Sequence, residues 1–433
     1  MKSVLFVICA MILAFEPAEV RASSISERNG GEATYQAAAM RTTDDSKLLP
    51  AAEPVATPEI ADQLSKLQGE LASLKDYVSG RESSSFFFLN LPEKLYALVG
   101  EELNIYFDNL VVGHDTDYDF DVDCSIGMQL ERCFRVVPTR PGTYSLFLAA
   151  TDKKGVTLRK KCTIYVADKS AGAGKDSSII FIGDSTIDNN SFIGRLNMDF
   201  SEDCMSLSTL GTRGSGKNRH EGRSGWSFKS YYTKSGETNP FFNPETGTFD
   251  ASHYFSETKI DKPDWIFINL GINDTFPYTD DETLNEAITE MNSMCDNMIV
   301  DIRSVSPQTK IGISLTIPPN YSQDAFGKNY KNNQTRSRYK RNNVIWVNNL
   351  LNRYENREKE QIYVIPIHTN LDTKYNMGME SISQNKRNTE TYLSPVAIGG
   401  VHPSDPGYWQ IADVYWFFLK AMEQYSKKET DQK

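Results

Sequence analysis

The sequence has few residues of the kinds that bind metal ions: five histidines and six cysteines among 433 residues. No Cys-x-x-Cys pair or Cys/His cluster has the spacing of metal ligands, so we expect neither a structural zinc ion nor a cofactor. Positive charge is also in deficit, and the formal net charge is −11. Because nucleic acids and anionic membranes are themselves negative, this balance argues against both as partners. Beyond the first residues, no apolar stretch has the length that a membrane span needs.

The first 22 residues have the features of a secretory signal peptide. Lys2 precedes a short apolar run over residues 4–15, and Val20-Arg21-Ala22 fits a small-residue cleavage site. We therefore expect a secreted or extracytoplasmic protein, in a compartment where disulfides form. Five cysteines follow this segment, so at least one thiol has no partner within the chain. A Cys124–Cys133 bridge would close a short hairpin, but the sequence leaves the connectivity open.

Residues 23–57 are rich in Ala, Ser, Thr, Glu and Pro and lack apolar periodicity, which predicts a disordered tether. Residues 58–80 then place apolar side chains at steps of four and three, which is the heptad seam of a helix. This helix would either form a short coiled coil that makes a homo-oligomer or pack against its own chain. About three heptads are marginal for an isolated coil, and both alternatives stay open.

Residues 85–167 carry short alternating runs rich in Phe, Tyr, Val and Leu, separated by Gly, Pro, Asp and Asn. This pattern is typical of a small antiparallel β-sandwich. The region holds no catalytic cluster. It would bind glycan or support a neighbouring domain, and support is the commoner role. Residues 168–177 predict a linker.

From residue 178 onward, apolar runs alternate with helical patterns, which predicts an α/β domain over residues 178–426 with a parallel sheet. The predicted strands cover residues 178–183, 265–270, 310–317 and 362–367. Between the second and third strands, a helix places on one face Leu284, Ile288, Met291, Cys295, Met298 and Ile302. A last helix is predicted from about residue 406 to residue 425. In such a sheet, reactive groups gather at the carboxyl ends of the strands.

Two segments at such positions supply a nucleophile and a base. The first predicted strand runs into Gly183-Asp184-Ser185, which places the Ser185 hydroxyl at a strand end and near a helix N-terminus. A serine needs a neighbouring base to become a good nucleophile. Among the five histidines, only His402 lies in a Pro/Gly-rich loop that leads into the last helix. Either segment alone is a common turn or loop, but together they predict that Ser185 and His402 act as a pair.

Two further segments offer hydrogen-bond donors to the oxyanion of an acyl-transfer intermediate. Asn273 lies in Gly271-Ile272-Asn273-Asp274 after the second strand, and Gly222 lies in the run from Glu221 to Trp226. An asparagine side chain and a glycine backbone N–H both suit an oxyanion hole.

In their order along the chain, Ser185, Gly222, Asn273 and His402 resemble the four sequence blocks of the SGNH, or GDSL-type, hydrolases. The resemblance covers about residues 178–425. It implies a flavodoxin-like three-layer α/β/α fold and ester hydrolysis without a metal ion. It also implies an oxyanion hole made of the backbone N–H groups of Ser185 and Gly222 and the side chain of Asn273.

The sequence departs from this family pattern at the third member of the catalytic triad. Many members carry an aspartate three residues before the histidine, where it orients the imidazole. Gly399 occupies that position here. The alternatives are a Ser–His dyad, with a backbone carbonyl or water orienting His402, or a triad completed by Asp372 or Asp405.

Two segments of unusual composition interrupt the α/β pattern. Residues 211–262 are long and rich in Gly, Asn, Ser, Thr and aromatic residues, and we expect this segment to wall the substrate site. Residues 319–343 are basic. They would either hold an acidic polysaccharide or form a solvated helix face, and the second alternative is the more common.

Together these features predict a secreted serine esterase that hydrolyses short acyl esters, acetyl first, on carbohydrate. The expected partner is therefore an acylated glycan substrate. One alternative is a lipid esterase or lysophospholipase of the same fold. The other is a glycan-binding attachment protein with little turnover, which a His402 ring far from Ser185 would favour.

Overall fold

The computed structural model describes residues 87–236, 238–394 and 399–425, all of which belong to one structural unit, Ser83–Lys433. The predicted signal peptide (1–22), tether (23–57) and heptad helix (58–80) lie outside the described residues. No helix within the described ranges combines the length and the apolar character that a membrane crossing requires.

Two β-sheets come first along the described chain. Their strands are β1 (Lys94–Leu98), β2 (Leu103–Tyr106), β3 (Tyr118–Cys124), β4 (Met128–Gln129), β5 (Cys133–Val136), β6 (Gly142–Asp152) and β7 (Thr157–Ala167). One sheet has the order β1-β7-β6-β3 and the other the order β2-β5-β4. All pairs are antiparallel except β1 with β7. Two 3-10 turns, Phe107–Leu110 and Asp115–Asp117, join β2 to β3.

Alternation explains why these segments form strands that cover a core. In β6, Leu146 and Leu148 are buried, whereas Phe147 between them is half exposed. Successive side chains of a strand point to opposite faces, so one face of β6 builds the core and the other meets solvent. The prediction of antiparallel sheets ahead of the α/β domain is confirmed.

The second part of the chain contains a parallel sheet with helices on both faces. The strands are β8 (Asp176–Gly183), β9 (Ser206–Leu210), β10 (Arg213–Ser215), β11 (Asn218–Gly222), β12 (Phe242–Asn243), β13 (Thr248–Phe249), β14 (Trp265–Asn269), β15 (Lys310–Ser314), β16 (Ile362–Ile365), β17 (Glu380–Ser383) and β18 (Thr391–Ser394). The helices are α1 (Ser185–Asp188), α2 (Ser191–Glu202), α3 (Phe228–Thr233), α4 (Ala251–Thr258), α5 (Ile272–Thr275), α6 (Asp281–Val305), α7 (Gln323–Tyr330), α8 (Arg336–Tyr354) and α9 (Asp405–Tyr425), with a 3-10 turn at Glu358–Glu360.

The large sheet has the order β10-β11-β8-β14-β15-β16, and β9 also pairs with β8. Every pair in it is parallel except β10 with β11. Strand β9 pairs with the first part of β8, and β11 pairs with its last two residues, so both lie along the same edge of β8. Strands β12 and β13 form a separate hairpin, as do β17 and β18.

Alternate residues of the central strands build the two layers of core on either side of the sheet. Phe181 and Phe267 belong to a core that includes side chains of α2 and α9, whereas Ile182 and Ile268 belong to a core with α6 and α8. Both faces are buried, which is why these strands read as continuous apolar runs. The three-layer α/β domain predicted from the sequence is confirmed.

The sequence analysis missed β9 and β11. Ser206–Leu210 and Asn218–Gly222 contain mostly polar residues, so they lack the apolar run that marks a buried parallel strand. The predicted third strand also stops earlier than expected, at Ser314. Leu315 still donates its N–H to the carbonyl of Ile365 in β16 at 2.9 Å, and the chain then continues to Pro318 and Pro319, which have no N–H for a strand ladder.

The segment predicted as a linker, residues 168–177, forms turns that are fastened to the last helix. The Lys420 ammonium donates hydrogen bonds to the carbonyls of Lys169 and Ala171. The Asp168 N–H donates to the side chain of Gln424 at 2.7 Å. This connection therefore holds a fixed path against α9.

The cysteines of the described region are all free thiols. Cys133, Cys162 and Cys295 are buried, Cys124 is half-buried and Cys204 is exposed. The Cys124–Cys133 bridge considered from the sequence does not form in this structure.

Two basic residues of the segment 319–343 meet a carboxylate rather than solvent. Arg336 and Lys340 are buried against Asp108, which comes from the 3-10 turn after β2. The Arg336 guanidinium contacts the Asp108 carboxylate at 3.0 and 3.1 Å, and the Lys340 ammonium contacts it at 2.9 Å. Both expectations from the sequence, an acidic polysaccharide site and a solvated helix face, are wrong for these residues. Their charges instead join the N-terminal sheets to the α/β domain.

Other basic residues of the segment are also paired: Arg338 and Arg341 with Asp281, and Lys328 with Glu380. Around Asp108, the two cations outweigh burial and hold the pKa of the carboxyl below its ordinary value. Burial lowers the pKa of Lys340 to about 8 despite the attraction of Asp108. The three charged side chains are thus desolvated together, and the buried carboxylate and the two buried cations compensate each other's charge.

Replacement of Asp108 by alanine should lower the free energy of unfolding by about 3 kcal/mol or more, because Arg336 and Lys340 would stay buried without that carboxylate. Urea unfolding followed by fluorescence measures the change. The control is Lys153→Ala, which removes an exposed ion pair with Asp117 and should cost less than about 1 kcal/mol. Equal costs for the two variants would contradict the assignment.

Candidate active site

Ser185 lies at the carboxyl end of the central strand β8, at the first position of the short helix α1. Asp184 caps this helix: its carboxylate accepts hydrogen bonds from the N–H of Thr186 at 2.9 Å and from its hydroxyl at 2.8 Å. Complete burial raises the pKa of Asp184 to about 6. Gly183 permits the tight exit from the strand, since a Cβ there would lie 2.3 Å from the side chain of Ile187.

His402 lies in the loop before α9, and its Nε2 is 2.8 Å from Ser185 Oγ. The ring is partly buried, and burial lowers its pKa below the ordinary value. The structure therefore brings together the predicted nucleophile and the predicted base, although they are 217 residues apart in the sequence. The arrangement that would have favoured a binding protein without turnover, a distant His402 ring, is not present.

Neither aspartate considered as a third triad member contacts His402. Asp372 binds the guanidinium of Arg132 at 2.9 and 3.3 Å, and Asp405 accepts a hydrogen bond from the Ser191 hydroxyl at 2.8 Å. Within the described ranges, His402 has no carboxylate partner among its hydrogen bonds or ion pairs. The prediction of Asp372 or Asp405 is wrong, because each carboxylate is engaged elsewhere, and a Ser–His dyad remains.

The role expected of Gly222 is also contradicted. Its backbone N–H donates to Nδ1 of His220 at 3.0 Å, and the residue is buried. Burial lowers the pKa of His220 to about 4, so its ring is neutral at pH 7 and Nδ1 serves as the acceptor. A Cβ on Gly222 would lie 2.5 Å from the backbone nitrogen of Asp188. Gly222 thus allows β11 to pack closely against α1, and its N–H is not free to meet an oxyanion.

Gly225, three residues further along, has the properties that Gly222 lacks. It is exposed, its φ is +75°, and apart from its two chain neighbours no residue has a heavy atom within 4 Å of the position a Cβ would take. Its N–H has no hydrogen-bond acceptor among the residues that the structure describes. The preceding Ser224 lines the same cleft as Ser185, and Asp188 holds it through its hydroxyl at 2.7 Å and its N–H at 3.3 Å.

Sequence reasoning missed Gly225, although the run Glu221 to Trp226 offers two glycines. The usable signal was the Ser-Gly pair just before a helix, where a turn with positive φ is common. Asn273, whose side chain we expected to serve the same oxyanion hole, donates from Nδ2 to the carbonyl of Trp226 at 2.8 Å. The Asn273 side chain therefore lies next to the turn of Ser224 and Gly225, of which Ser224 lines the cleft with Ser185.

A buried ion pair supports the turn that carries Ser224 and Gly225. Arg223 and Glu221 are 4% and 0% exposed, and their charged atoms are 2.8 Å apart. Glu221 also accepts hydrogen bonds from the hydroxyls of Tyr254, at 2.8 Å, and Thr212, at 2.9 Å. Because each charge is fully paired, the turn has a rigid base despite its exposed tip.

Several aromatic residues of segment 211–262, which we expected to wall the substrate site, pack in the core. Phe241 stacks on Tyr254 with ring centroids 4.0 Å apart and on Phe249 at 5.0 Å. Trp226 and Tyr231 are buried as well. Among the described residues of this segment only Ser224 lines the cleft, so the expectation that the segment walls the substrate site is wrong for these rings.

The cleft around Ser185 has a volume of about 680 Å³ and is open to solvent. Seven of the ten lining residues are polar, namely Ser185, Asp188, Asn189, Ser224, His402, Ser404 and Asp405, and the others are Pro403, Pro406 and Tyr408. No group of three His, Cys, Asp or Glu side chains in the described part of the chain is arranged to hold a metal ion. The reactive groups of the cleft are a serine hydroxyl and an imidazole, with N–H donors nearby.

The chain belongs to the GDSL-like lipase/acylhydrolase family, whose sequence model matches residues 179–414. It is thus an esterase or acylhydrolase of the α/β class described above. No curated protein matches the chain.

Several solved structures are similar to the α/β part. A possible lipase from Chitinophaga pinensis is 19% identical, with 57% of this chain and 98% of that chain covered and a TM-score of 0.33. A carbohydrate acetylesterase from Sinorhizobium meliloti is 12% identical, with 57% and 99% covered and a TM-score of 0.33. A putative arylesterase from Agrobacterium tumefaciens is 13% identical, with 56% and 98% covered and a TM-score of 0.34.

Asp274 lies beside the site with one carboxylate oxygen unsatisfied. Its Oδ1 accepts the N–H of Phe228 at 2.9 Å, whereas Oδ2 is buried without a partner. Burial, with a smaller contribution from the charge of Asp184, raises the pKa of Asp274 from 3.8 to about 7. The folded protein therefore binds this proton more tightly than the unfolded chain does, and Asp274 lowers stability as pH rises from about 4 to above 7.

Asp274→Asn keeps the acceptor for Phe228 and removes the titration. Relative to the wild type, its free energy of unfolding should rise by roughly 2 kcal/mol between pH 5 and pH 8, because only the wild type must bury a carboxylate at the higher pH. Urea unfolding at the two pH values measures this. Asp261→Asn, at an exposed loop position, is the control. A constant difference between Asp274→Asn and wild type across this range would contradict the raised pKa.

Proposed function

We propose that the protein hydrolyses short acyl esters, acetyl above all, on carbohydrate through an acyl-serine intermediate. The observation that carries this proposal is the 2.8 Å contact between His402 Nε2 and Ser185 Oγ at the floor of an open polar cleft. A nucleophile within hydrogen-bond reach of a neutral base is the arrangement that acyl transfer requires.

In the proposed mechanism, Ser185 Oγ attacks the ester carbonyl carbon while His402 Nε2 accepts the hydroxyl proton. The resulting imidazolium then donates that proton to the alcohol oxygen, the C–O bond breaks, and the alcohol leaves. Water attacks the acyl-serine in the second half, again giving its proton to His402, and the acid leaves as Ser185 recovers its proton. No carboxylate on Nδ1 stabilises the imidazolium among the described residues, so its charge depends on the polar cleft.

The oxyanion of each tetrahedral intermediate needs donors placed in advance. We assign this role to the backbone N–H groups of Ser185 and Gly225 and to the side-chain amide of Asn273. Gly225 replaces Gly222 in this assignment because the N–H of Gly222 is already bound to His220. Donors of this kind are each worth roughly 2.7–4 kcal/mol of transition-state stabilisation in a comparable hydrolase.

The lining of the cleft supports a short acyl group and a hydrophilic alcohol. Asp188, Asn189, Ser224 and Asp405 line the space around the serine, and among the described residues its lining includes no Leu, Ile, Val, Met or Phe side chain to hold a long acyl chain. A long chain would therefore lie against charged and polar groups, which is unfavourable. Sugar hydroxyls suit such a surface, and the predicted export would bring the protein to extracellular glycans. The lipid-esterase alternative has no comparable observation in its favour.

The first expected outcome concerns the two reacting residues. The purified wild-type protein should hydrolyse p-nitrophenyl acetate, and Ser185→Ala and His402→Ala should each lower kcat/KM by about 10³-fold or more, because each removes half of the nucleophile–base pair. His253→Ala, a histidine of α4 outside the cleft, and Ser208→Ala, an exposed serine of β9, are matched controls and should keep full activity. Wild-type activity in Ser185→Ala would sink the mechanism.

The same assay tests the acyl length. Rates with p-nitrophenyl esters should fall from acetate to butyrate to octanoate, and acetate release from acetylated oligosaccharides should depend on Ser185. Faster turnover of octanoate or of lysophospholipid than of any acetyl ester would instead support the lipid alternative. Silence on all esters, with intact folding, would support the glycan-binding alternative.

The acid side of the pH profile should report His402. The base must be neutral, and burial holds its pKa below the ordinary value of about 6.5, so the acid-side fall of kcat/KM should have its midpoint below pH 6.5. Initial rates between pH 4 and pH 8, with recovery of activity checked at pH 7, give the midpoint. A midpoint above about 6.5 would contradict the effect of burial.

A further inference from the structure

The loop that carries His402 is fixed through its backbone, not through a carboxylate on the imidazole. Both the N–H and the hydroxyl of Ser404 donate to the carbonyl of Asn376, at 3.0 and 2.9 Å. Pro403 forms an isolated β-bridge with Met377. Since His402 lies next to this bridge, the position of its ring depends on the turn formed by residues 372–376.

Asp372 organises that turn. Its Oδ1 accepts the N–H groups of Lys374 at 3.0 Å and Tyr375 at 3.2 Å, and its carbonyl accepts the N–H of Asn376 at 2.9 Å. The side chain of Gln410 in α9 also accepts from the Asp372 N–H and from the Asn376 amide, at 2.8 and 2.9 Å. An aspartate that accepts from N–H groups two and three residues ahead closes a tight turn.

The other partner of Asp372 comes from the N-terminal sheets. Arg132, between β4 and β5, binds both oxygens of the carboxylate, at 2.9 and 3.3 Å. Its guanidinium also lies over the rings of Tyr106, Tyr321 and Tyr375, with distances to the centroids of 5.6, 5.7 and 5.1 Å. Arg132 is therefore held in place from several sides, and its side chain is only 19% exposed.

The same face of the N-terminal sheets binds the segment immediately before the turn, residues 368–371. The Asn109 side chain donates to the carbonyls of His368 at 2.8 Å and Leu371 at 2.7 Å. The N–H of Tyr106 donates to the carbonyl of Thr369 at 3.0 Å. These contacts fix the start of the turn, just as Arg132 fixes the Asp372 carboxylate.

We propose that the N-terminal β-sheets position the catalytic base: Arg132, through Asp372 and the turn 372–376, holds the His402 loop against Ser185. Arg132 is thus a positioning residue of a hydrolase that lacks the usual orienting aspartate, and this inference rests on the function proposed above. The region predicted to be a glycan module or a support is thus connected to the catalytic base through Asp372 and this turn. Small displacements of a catalytic group are costly, because about 1 Å can lower a rate a hundredfold.

The first measurement is hydrogen exchange of the full-length protein, which does not depend on catalysis. In Arg132→Ala, amide exchange in fragments that cover residues 399–408 should be about tenfold faster than in wild type, because the turn that holds Ser404 loses its charged anchor. Fragments of α6 should be unchanged and show that the fold is intact. Lys153→Ala, another cation of the N-terminal sheets with an exposed partner, should exchange as wild type does.

The second measurement is kcat for p-nitrophenyl acetate, per serine titrated with a fluorophosphonate probe. Arg132→Ala should lower kcat about 10- to 100-fold, with KM within about twofold, because the substrate cleft itself is unchanged. Arg132→Lys should fall between wild type and alanine, since lysine keeps the charge but cannot bind both oxygens.

Unchanged exchange at residues 399–408 in Arg132→Ala would overturn the proposal. So would faster exchange with wild-type kcat per titrated serine, because the connection would then have no catalytic effect. A wild-type protein without any ester turnover would refute the proposed function, and the exchange data would still decide whether Arg132 holds the loop.

Discussion

The register of three strands around Gly183 is the constraint on which the site depends. Gly183 at the end of β8 pairs with Gly222 of β11 on one side and with Asn269 of β14 on the other. Its carbonyl also accepts the N–H of Arg223 at 3.0 Å and the hydroxyl of Tyr231 at 2.7 Å. The chain therefore leaves all three strands at the same level. Because parallel strands end at a common edge, residues that are far apart in the sequence come together at that edge.

Two buried charge groups fix features that the strand register does not determine, namely the turn at Gly225 and the contact between the N-terminal sheets and the α/β domain. The Glu221–Arg223 pair lies beneath the turn that exposes Gly225, and the Asp108–Arg336–Lys340 group joins the two parts of the described chain. Desolvation makes such groups poor contributors to stability, but a buried charge tolerates few alternative partners. Their value is therefore one of specificity: they determine which surfaces meet and in what orientation.

Much of this arrangement could be predicted from the sequence, for a clear physical reason. Strands β8, β14, β15 and β16 are buried on both faces and so appear as apolar runs, and the ends of two of them locate Ser185 and Asn273. Strand β11 can be polar because Glu221 and His220 have buried hydrogen-bond partners. Its sequence therefore shows no apolar periodicity. The choice between Gly222 and Gly225 depends on which N–H is already bound, which is a property of the folded chain. The same holds for Asp372 and Asp405, whose partners Arg132 and Ser191 are distant in sequence.

The Asp108 group has a consequence for the unfolding of the protein. A carboxylate from one part of the chain and two cations from the other can be buried only together, and one continuous apolar core runs from the N-terminal sheets to α9. Neither part would retain its native surface after the other had melted. We therefore expect the two parts of the described region to unfold together. An excised α/β domain would carry two uncompensated cations, Arg336 and Lys340, on a newly exposed face.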